Sequence, residues 1–510
     1  MGPTCPKGLI STRFVIGVML FTACFVTYTM RVNMSINIIA MVEPARTNGS
    51  LTEPECVVVN RISNNQTLGN ESAEKLTSVP DYGTRYEWDS NLQSLILGSY
   101  FWGYTITCIP GGVLGEKFGP TRTVMIATLI SGFLTLVGPL ASSWHYAVLI
   151  LSRFLTGVCG GVIYPCLHCL VSRWAPPEEK GKFIGSLLGG TLGTVATWPL
   201  LGAVIESLGW SWSFFINGGI VIVWCIFWIL LVSDSPDKHP RISEEEKLYI
   251  VRSLGDTLKP TKGLPPYKDI FLSIPFWSLI ILHFGNLWGL YFLMTAGPNF
   301  LSTVLGFNLG HTGILAALPY LARLIFGFIF GLIGDFIRQR KILSTIMVRK
   351  GFILFSHIVP GALLLILNVT GCDVNWSIAL LTLSLGSNGA STLTNLQNSQ
   401  DLAPNYAGTL YGIANCIGST TGFITPLIVG QLTAENNGLD EWHIIFCIGA
   451  LVYIVCGLVF CVFGKADIQV WNAAKEIDDL QKGGVPNPAF DNASEVTMKV
   501  EDSSDENTKV

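Results

Sequence analysis

The sequence predicts an all-α membrane protein: twelve transmembrane helices in two six-helix pseudo-repeats. Three observations carry that prediction. Half of the 510 residues are hydrophobic, 13% are charged and the mean hydropathy is +0.49. A soluble chain of this length cannot bury so much apolar surface, so the bilayer has to be the solvent. Apolar runs long enough to cross it recur about twelve times. A short charged motif also repeats after the second run of each half.

The runs lie at 13–41, 90–114, 123–141, 146–171, 183–206 and 212–232 (spans 1–6) and at 275–302, 311–334, 350–368, 376–397, 406–432 and 442–464 (spans 7–12). Backbone groups in lipid must satisfy one another, so each run is read as a helix. The division is a cytoplasmic N-terminus (1–12), a first half (13–232), a central loop (233–274), a second half (275–464) and a disordered, acid-rich cytoplasmic tail (465–510). In the central loop, Ser243 followed by Glu244–Glu246 has capping-box spacing and should start a short surface helix.

Loop charge sets the orientation. Lys117 and Arg122 follow span 2, Arg173, Lys180 and Lys182 follow span 4, and Arg338, Arg340, Lys341, Arg349 and Lys350 follow span 8. The alternate short loops carry no Lys or Arg, so both termini are cytoplasmic. The long loop 42–89 then lies outside or in a lumen. Its three sequons, at Asn48, Asn65 and Asn70, are expected to be glycosylated.

The repeat reads Gly112-Val-Leu-Gly-Glu116-Lys-Phe-Gly-Pro-Thr-Arg122 after span 2 and Gly331-Leu-Ile-Gly-Asp335-Phe-Ile-Arg338-Gln-Arg340-Lys341 after span 8. Repeat-built transporters place their substrate near the midplane, between the repeats. Most of the thirteen cysteines lie in apolar runs, where they behave as small hydrophobes. Cys56 and Cys372 fall in exterior loops and can pair. No ligand spacing points to a metal, and no nucleophile–base motif or phosphate cradle points to an enzyme. No cofactor or nucleic-acid partner is expected, and the chain is read as a monomer.

Three arginines, Arg31, Arg153 and Arg323, sit deep in apolar runs with no carboxylate at comparable depth. A charge there costs roughly 2.5–3.5 kcal/mol on insertion scales, so intramembrane cations tend to face a cavity and a partner. With no acid to neutralise them, the negative charge is expected to arrive with a small anionic substrate. Arg153 shares a helical face with Gly157, Gly160 and Tyr164, which leaves room beside a fork suited to carboxylate or phosphate. The alternative is an arginine satisfied by backbone carbonyls. Arg31 shares a face with Thr27, Tyr28 and Ser35, and the competing role is a structural bond to helix ends. Arg323 is read as pairing with Asp335 or snorkelling to a polar gap, a substrate role being the lesser reading. The expected substrate set is Arg31, Arg153, Tyr28, Tyr104, Tyr164, Asn286 and Asn388, with Tyr100, Trp102 and Tyr291 as further pathway aromatics. Span 10 is unusually polar, and Ser387, Ser391 and Asn395 are the candidate cation ligands. Interhelical hydrogen bonding is their alternative role. His283, His357 and His168 are titratable, although packed and bonded histidines are commoner.

The repeated loop resembles the signature of the major facilitator superfamily. Arg31-Val-Asn-Met-Ser, Phe101-Trp-Gly-Tyr104, Ile109-Pro-Gly-Gly112, Trp174-Ala-Pro-Pro177, Ala317-Leu-Pro-Tyr320 and Asp401-Leu-Ala-Pro404 are similar to its anion–cation symporter branch. That branch holds sialin, the vesicular glutamate transporters and the sodium–phosphate cotransporters. In texture the chain is most similar to invertebrate inorganic phosphate cotransporters. The resemblance implies the major facilitator fold and matches the family's arginines on spans 1 and 4 to Arg31 and Arg153. It also implies that Glu116 with Arg122 and Asp335 with Arg340 act as gating latches. The chain departs from the family at Asn286 and Leu97, where the glutamate transporters carry arginine and histidine. It departs again at Thr156 and Gly160, where sialin-like members carry the glutamates credited with proton coupling.

These readings converge on secondary active uptake of inorganic phosphate or small organic anions by alternating access. Sodium is the expected coupling ion and the plasma membrane the expected site. The alternative is a proton-coupled, sialin-like transporter of acidic sugars in an endolysosomal or vesicle membrane. A non-transporting receptor and an anion channel are the remaining classes.

Overall fold

The structure is a computed structural model that describes residues 11–43, 46–47, 50–51, 54–63, 81–176, 179, 183, 185–187, 189–254, 265–403 and 406–473. The sequons at Asn48, Asn65 and Asn70 lie outside the described residues, as do the side chains of Glu116 and Asp335. Among the described residues nine helices are long and apolar enough to cross a membrane, or ten if one bent pair counts as a single span. They include Thr12–Met41 (span 1), Tyr146–Trp174 (span 4), Ile274–Thr303 (span 7), Leu309–Gln339 (span 8) and Leu439–Phe463 (span 12). The bent pair, Pro120–Leu136 with Gly138–Trp144, turns by 50°. Pro139 lies just beyond the bend and has no N–H to continue the ladder. The two expected spans not among them are span 2 (Ser90–Cys108, continued by Pro110–Phe118) and span 10, whose helix is interrupted.

Span 10 is polar and broken into Val374–Asn388, a 3₁₀ stretch Gly389–Leu393, and Asn395–Leu402. Two features of the sequence shape it. A Cβ at Gly389 would come within 2.6 Å of the Arg323 carbonyl and 2.7 Å of Gly327 N, so only glycine admits span 8 this closely. On neighbouring span 9, Pro360 has no N–H to give Ser356, and residues Leu354–Ile358 form a π turn. The Ser356 carbonyl accepts instead from Asn388 Nδ2 at 2.9 Å. Span 10's polar side chains therefore repair backbone that span 9 leaves open.

The two halves meet tightly at the ends expected to lie outside. Gly310 N donates to Glu206 Oε1 at 2.7 Å, and Ser90 Oγ donates to the Thr433 carbonyl at 3.2 Å. A short helix of the exterior loop, Glu55–Ser63, belongs to the first half but seats on the second. Cys56 is disulfide-bonded to Cys372, with Cα atoms 4.9 Å apart. Beside it, Cys56 N donates to the Val304 carbonyl at 3.3 Å and Leu439 N donates to Glu55 Oε2 at 2.6 Å.

At the opposite end the expected surface helix runs Glu244–Leu254, with Ser243 Oγ accepting from Glu246 N at 3.2 Å. Its Glu246 carboxylate reaches span 1, accepting from Thr12 N, Arg13 N and Arg13 Nε at 3.0 Å each. Arg13 also pairs with Glu179 at 2.7 Å. Burial by itself would raise the Glu246 carboxyl. The backbone N–H groups of Arg13 and Thr12 and the Arg13 guanidinium outweigh it and hold the group below its ordinary value. The first residues of the expected disordered tail are ordered. Trp471 is buried, and Gln469 N donates to the Leu402 carbonyl at 2.8 Å.

Candidate functional site

Arg31 sits in the middle of span 1, 4% exposed, inside an aromatic cage. Its guanidinium carbon lies 4.5 Å from the centre of the Tyr104 ring, 4.6 Å from Tyr28, 5.2 Å from Tyr100, and 5.7 Å from both Phe101 and Tyr291. Span 1 supplies Tyr28, span 2 supplies residues 100, 101 and 104, and span 7 supplies Tyr291, so both halves build the cage. Its one hydrogen bond among the described residues runs from NH1 to the Tyr291 hydroxyl at 3.3 Å. Nε and NH2 have no partner. Ring faces attract a cation but accept few of its hydrogens, and each buried donor left unmade costs about 1–3 kcal/mol. The free Nε–NH2 edge is the one that binds a planar carboxylate or a phosphate through two parallel bonds.

Arg153 holds the site from behind. Its NH1 donates to the Met30 carbonyl at 3.0 Å and its NH2 to the Arg31 carbonyl at 3.1 Å. Of the two sequence readings for this residue, the structure adopts the backbone one, leaving only Nε without a partner. The space expected beside Gly157 and Gly160 is filled by span 2. A Cβ at Gly157 would collide with the Tyr100 carbonyl, and one at Gly160 with the Tyr100 hydroxyl. The glycines therefore serve close helix packing, and that packing puts Tyr100 over both arginines.

The remaining expected site residues divide into two groups. Tyr164 stands edge-on to Tyr28 at 6.3 Å, behind the cage. Asn286 is buried on span 7 with its Oδ1 unpartnered. Asn388 lies apart, accepting from Arg323 Nε at 3.1 Å, while Arg323 NH2 reaches Ser391 Oγ at 3.4 Å. Arg323 thus faces span 10. The three candidate cation ligands do not converge on an open position. Ser391 meets a guanidinium, Ser387 Oγ bonds the Leu383 and Ser384 carbonyls, and Asn395 binds Thr394 and His283. Among the described residues no cluster of three metal-ligating side chains occurs. Arg122 and Arg340 are exposed.

Sequence reasoning missed Phe101, whose place in the cage follows from helix rotation. It also missed Asn415 on span 11, which donates to Cys108 Sγ across the two halves at 3.4 Å. Neither residue stands out in its local pattern.

Comparison with known proteins agrees with this architecture. The profile of the Major Facilitator Superfamily matches residues 20–426. Sialin of Homo sapiens is 35% identical over 466 residues, covering 90% of this chain and 91% of sialin. A Drosophila melanogaster protein named "Putative inorganic phosphate cotransporter" is 32% identical over 488 residues, covering 94% of this chain and 89% of its own. The inward-open xylose transporter from E. coli superposes with a TM-score of 0.58 at 12% identity, over 87% of this chain and 94% of that one, a likeness of fold alone.

Proposed function

The chain belongs to the major facilitator superfamily and is a multi-pass membrane transporter, not an enzyme, and from that premise we propose that it carries a small anion, inorganic phosphate or a small organic acid, by alternating access. The observation that carries the reading is Arg31, buried at the junction of the halves with two nitrogens unpartnered and no carboxylate paired with it among the described residues. A permanent cation held this way is a standing cost in the empty protein, and an arriving anion removes it. Arg153 acts as the positioning residue that fixes the Arg31 backbone. The sialin and phosphate-cotransporter relatives support an anion as cargo.

For the coupling ion, the geometry favours a proton over sodium. Sodium needs several free oxygens, and on span 10 the Asn388 and Ser391 oxygens face the Arg323 guanidinium. The Cys56–Cys372 bond is suited to an oxidising compartment, either the cell exterior or the lumen of a secretory or endolysosomal organelle.

The test is uptake of labelled phosphate and of a labelled uronic acid by cells expressing the chain, in sodium and in choline medium, beside Arg31→Ala at matched surface expression. Saturable, Arg31-dependent uptake of either anion is the expected result. Equal uptake by Arg31→Ala would overturn the assignment.

A further inference from the structure

Two histidines are buried among the spans, and the structure treats them differently. His357 is satisfied at both ring nitrogens, Nδ1 by Ser356 Oγ at 2.8 Å and Nε2 by the Leu282 carbonyl at 3.0 Å. That is the pattern of a structural histidine. His283, on span 7 and 1% exposed, meets Asn395 through Nδ1 at 2.6 Å; among the described residues its Nε2 makes no hydrogen bond of ordinary geometry, the side chain of Asn415 being near enough to interact with the ring but not aligned for a full bond. One turn along the same helix, the Asn286 Oδ1 is an acceptor that is also without a partner. A satisfied core would not leave a donor-capable and an accepting group this close together, both empty, in low dielectric.

The partner at Nδ1 suits a group that changes charge. An amide meets an imidazole in either sense, donating N–H to a bare Nδ1 or, turned over, accepting from Nδ1–H. Asn395 can therefore hold the ring both neutral and protonated. The titratable and charged groups around the ring are Tyr411 of span 11, with ring centres 5.5 Å apart, Arg323 of span 8 and His357 of span 9. The neighbouring Asn395 and Asn415 are uncharged, and among the described residues no carboxylate is recorded against the ring. Protonation of His283 thus adds a positive charge to a region that already holds Arg31, Arg153 and Arg323. The group able to offset that charge is the anion itself.

We propose that His283 carries the coupling proton, so that the anion at Arg31 and the proton at His283 bind in mutual support and cross together. The inference rests on the anion reading above. Tyr291, the Arg31 partner, lies about 12 Å along span 7 from His283. Two unit charges at that distance, in an effective dielectric of about 20, change each other's affinity roughly tenfold. By reciprocity, the proton tightens the anion by the factor with which the anion tightens the proton. Span 4, which carries Arg153, holds no carboxylate, and the imidazole on span 7 takes the proton from the other half.

The test uses the purified full chain in liposomes, with labelled phosphate and a labelled uronic acid as probes. Accumulation driven by an inward proton gradient is compared with exchange at equal pH on both sides. In wild type both should occur. In His283→Gln gradient-driven accumulation should fall at least tenfold while exchange measured at saturating anion stays within about threefold, because exchange needs no net proton movement and saturation offsets the lost affinity. Arg31→Ala should lose both. Undiminished gradient-driven accumulation in His283→Gln overturns the proposal, as does a wild type driven by sodium and indifferent to the proton gradient. If wild type exchanges neither anion, the anion reading fails and takes this one with it. If His283→Gln loses exchange as well, Asn395→Asp decides. A carboxylate beside the ring should move the pH midpoint of uptake upward by about one unit or more, and an unmoved midpoint overturns the proposal.

Discussion

Replacing each of the two central arginines by methionine should change stability in opposite directions. Methionine approximates the length and bulk of the arginine stem, so the substitution mainly removes the charged fork. At Arg31 that fork leaves two buried nitrogens unpartnered, at about 1–3 kcal/mol each. Against this stand one long bond to Tyr291 and cation–π attraction of about 2 kcal/mol. Arg31→Met should therefore leave the ligand-free protein as stable as wild type or stabilise it by up to about 4 kcal/mol. Arg153→Met removes two charge-assisted bonds to span 1 carbonyls, at about 1.5–3 kcal/mol each, together with a long one to Asn33 Oδ1 at 3.5 Å, and relieves one unpartnered nitrogen. Its net effect should be a loss of about 1–4 kcal/mol. Thermal unfolding in detergent, followed by the fluorescence of the 14 tryptophans, reads both. Arg31→Met should melt at or above the wild-type temperature and no longer respond to added anion. Arg153→Met should melt several degrees lower. Arg31→Met melting as low as Arg153→Met would refute the reasoning, since it would mean that the Arg31 fork already has strong partners in the empty protein.

Three other outcomes follow from the fold. Gly157→Ala drives a Cβ into the Tyr100 carbonyl, so spans 2 and 4 must part and the cage loses a wall; surface expression and uptake should both drop sharply, and normal uptake would remove the packing argument. Cys56→Ser should free the Cys372 thiol, read as one new maleimide-reactive group on the exterior face; no change in labelling would mean that the bond does not form. Glu246 is held below its ordinary value of 4.5. Its contribution is therefore present in full above that value and lost as pH falls through the lower, folded one. Glu246→Gln should lower the melting temperature at pH 7, and the difference should shrink as pH falls below about 4. A difference that stays constant across that range would show that Glu246 is not stabilising through its charge.

The sequence by itself determined what depends on sums and on position along the chain. The bilayer as solvent, the all-α class and the charge-sorted loops follow from composition and spacing, because lipid leaves the backbone no choice but a helix. The strangeness of Arg31 and Arg153 was equally legible, since a cation in an apolar run stands out without any neighbour being known. Tertiary structure alone decided which of them is free to bind. Arg153 reaches the carbonyls of Met30 and Arg31 only because Gly157 and Gly160 let span 2 pack against span 4. Arg31 is left open only because five rings from three spans surround it where acceptors would otherwise stand. The same holds for span 10, whose oxygens suit a cation in sequence but in space meet Arg323, His283 and the carbonyl that Pro360 leaves free. A side chain's type shows what it can bond. Which bonds it makes is decided by helices far apart in the chain, through rotations and approaches of a few ångströms that local pattern does not record.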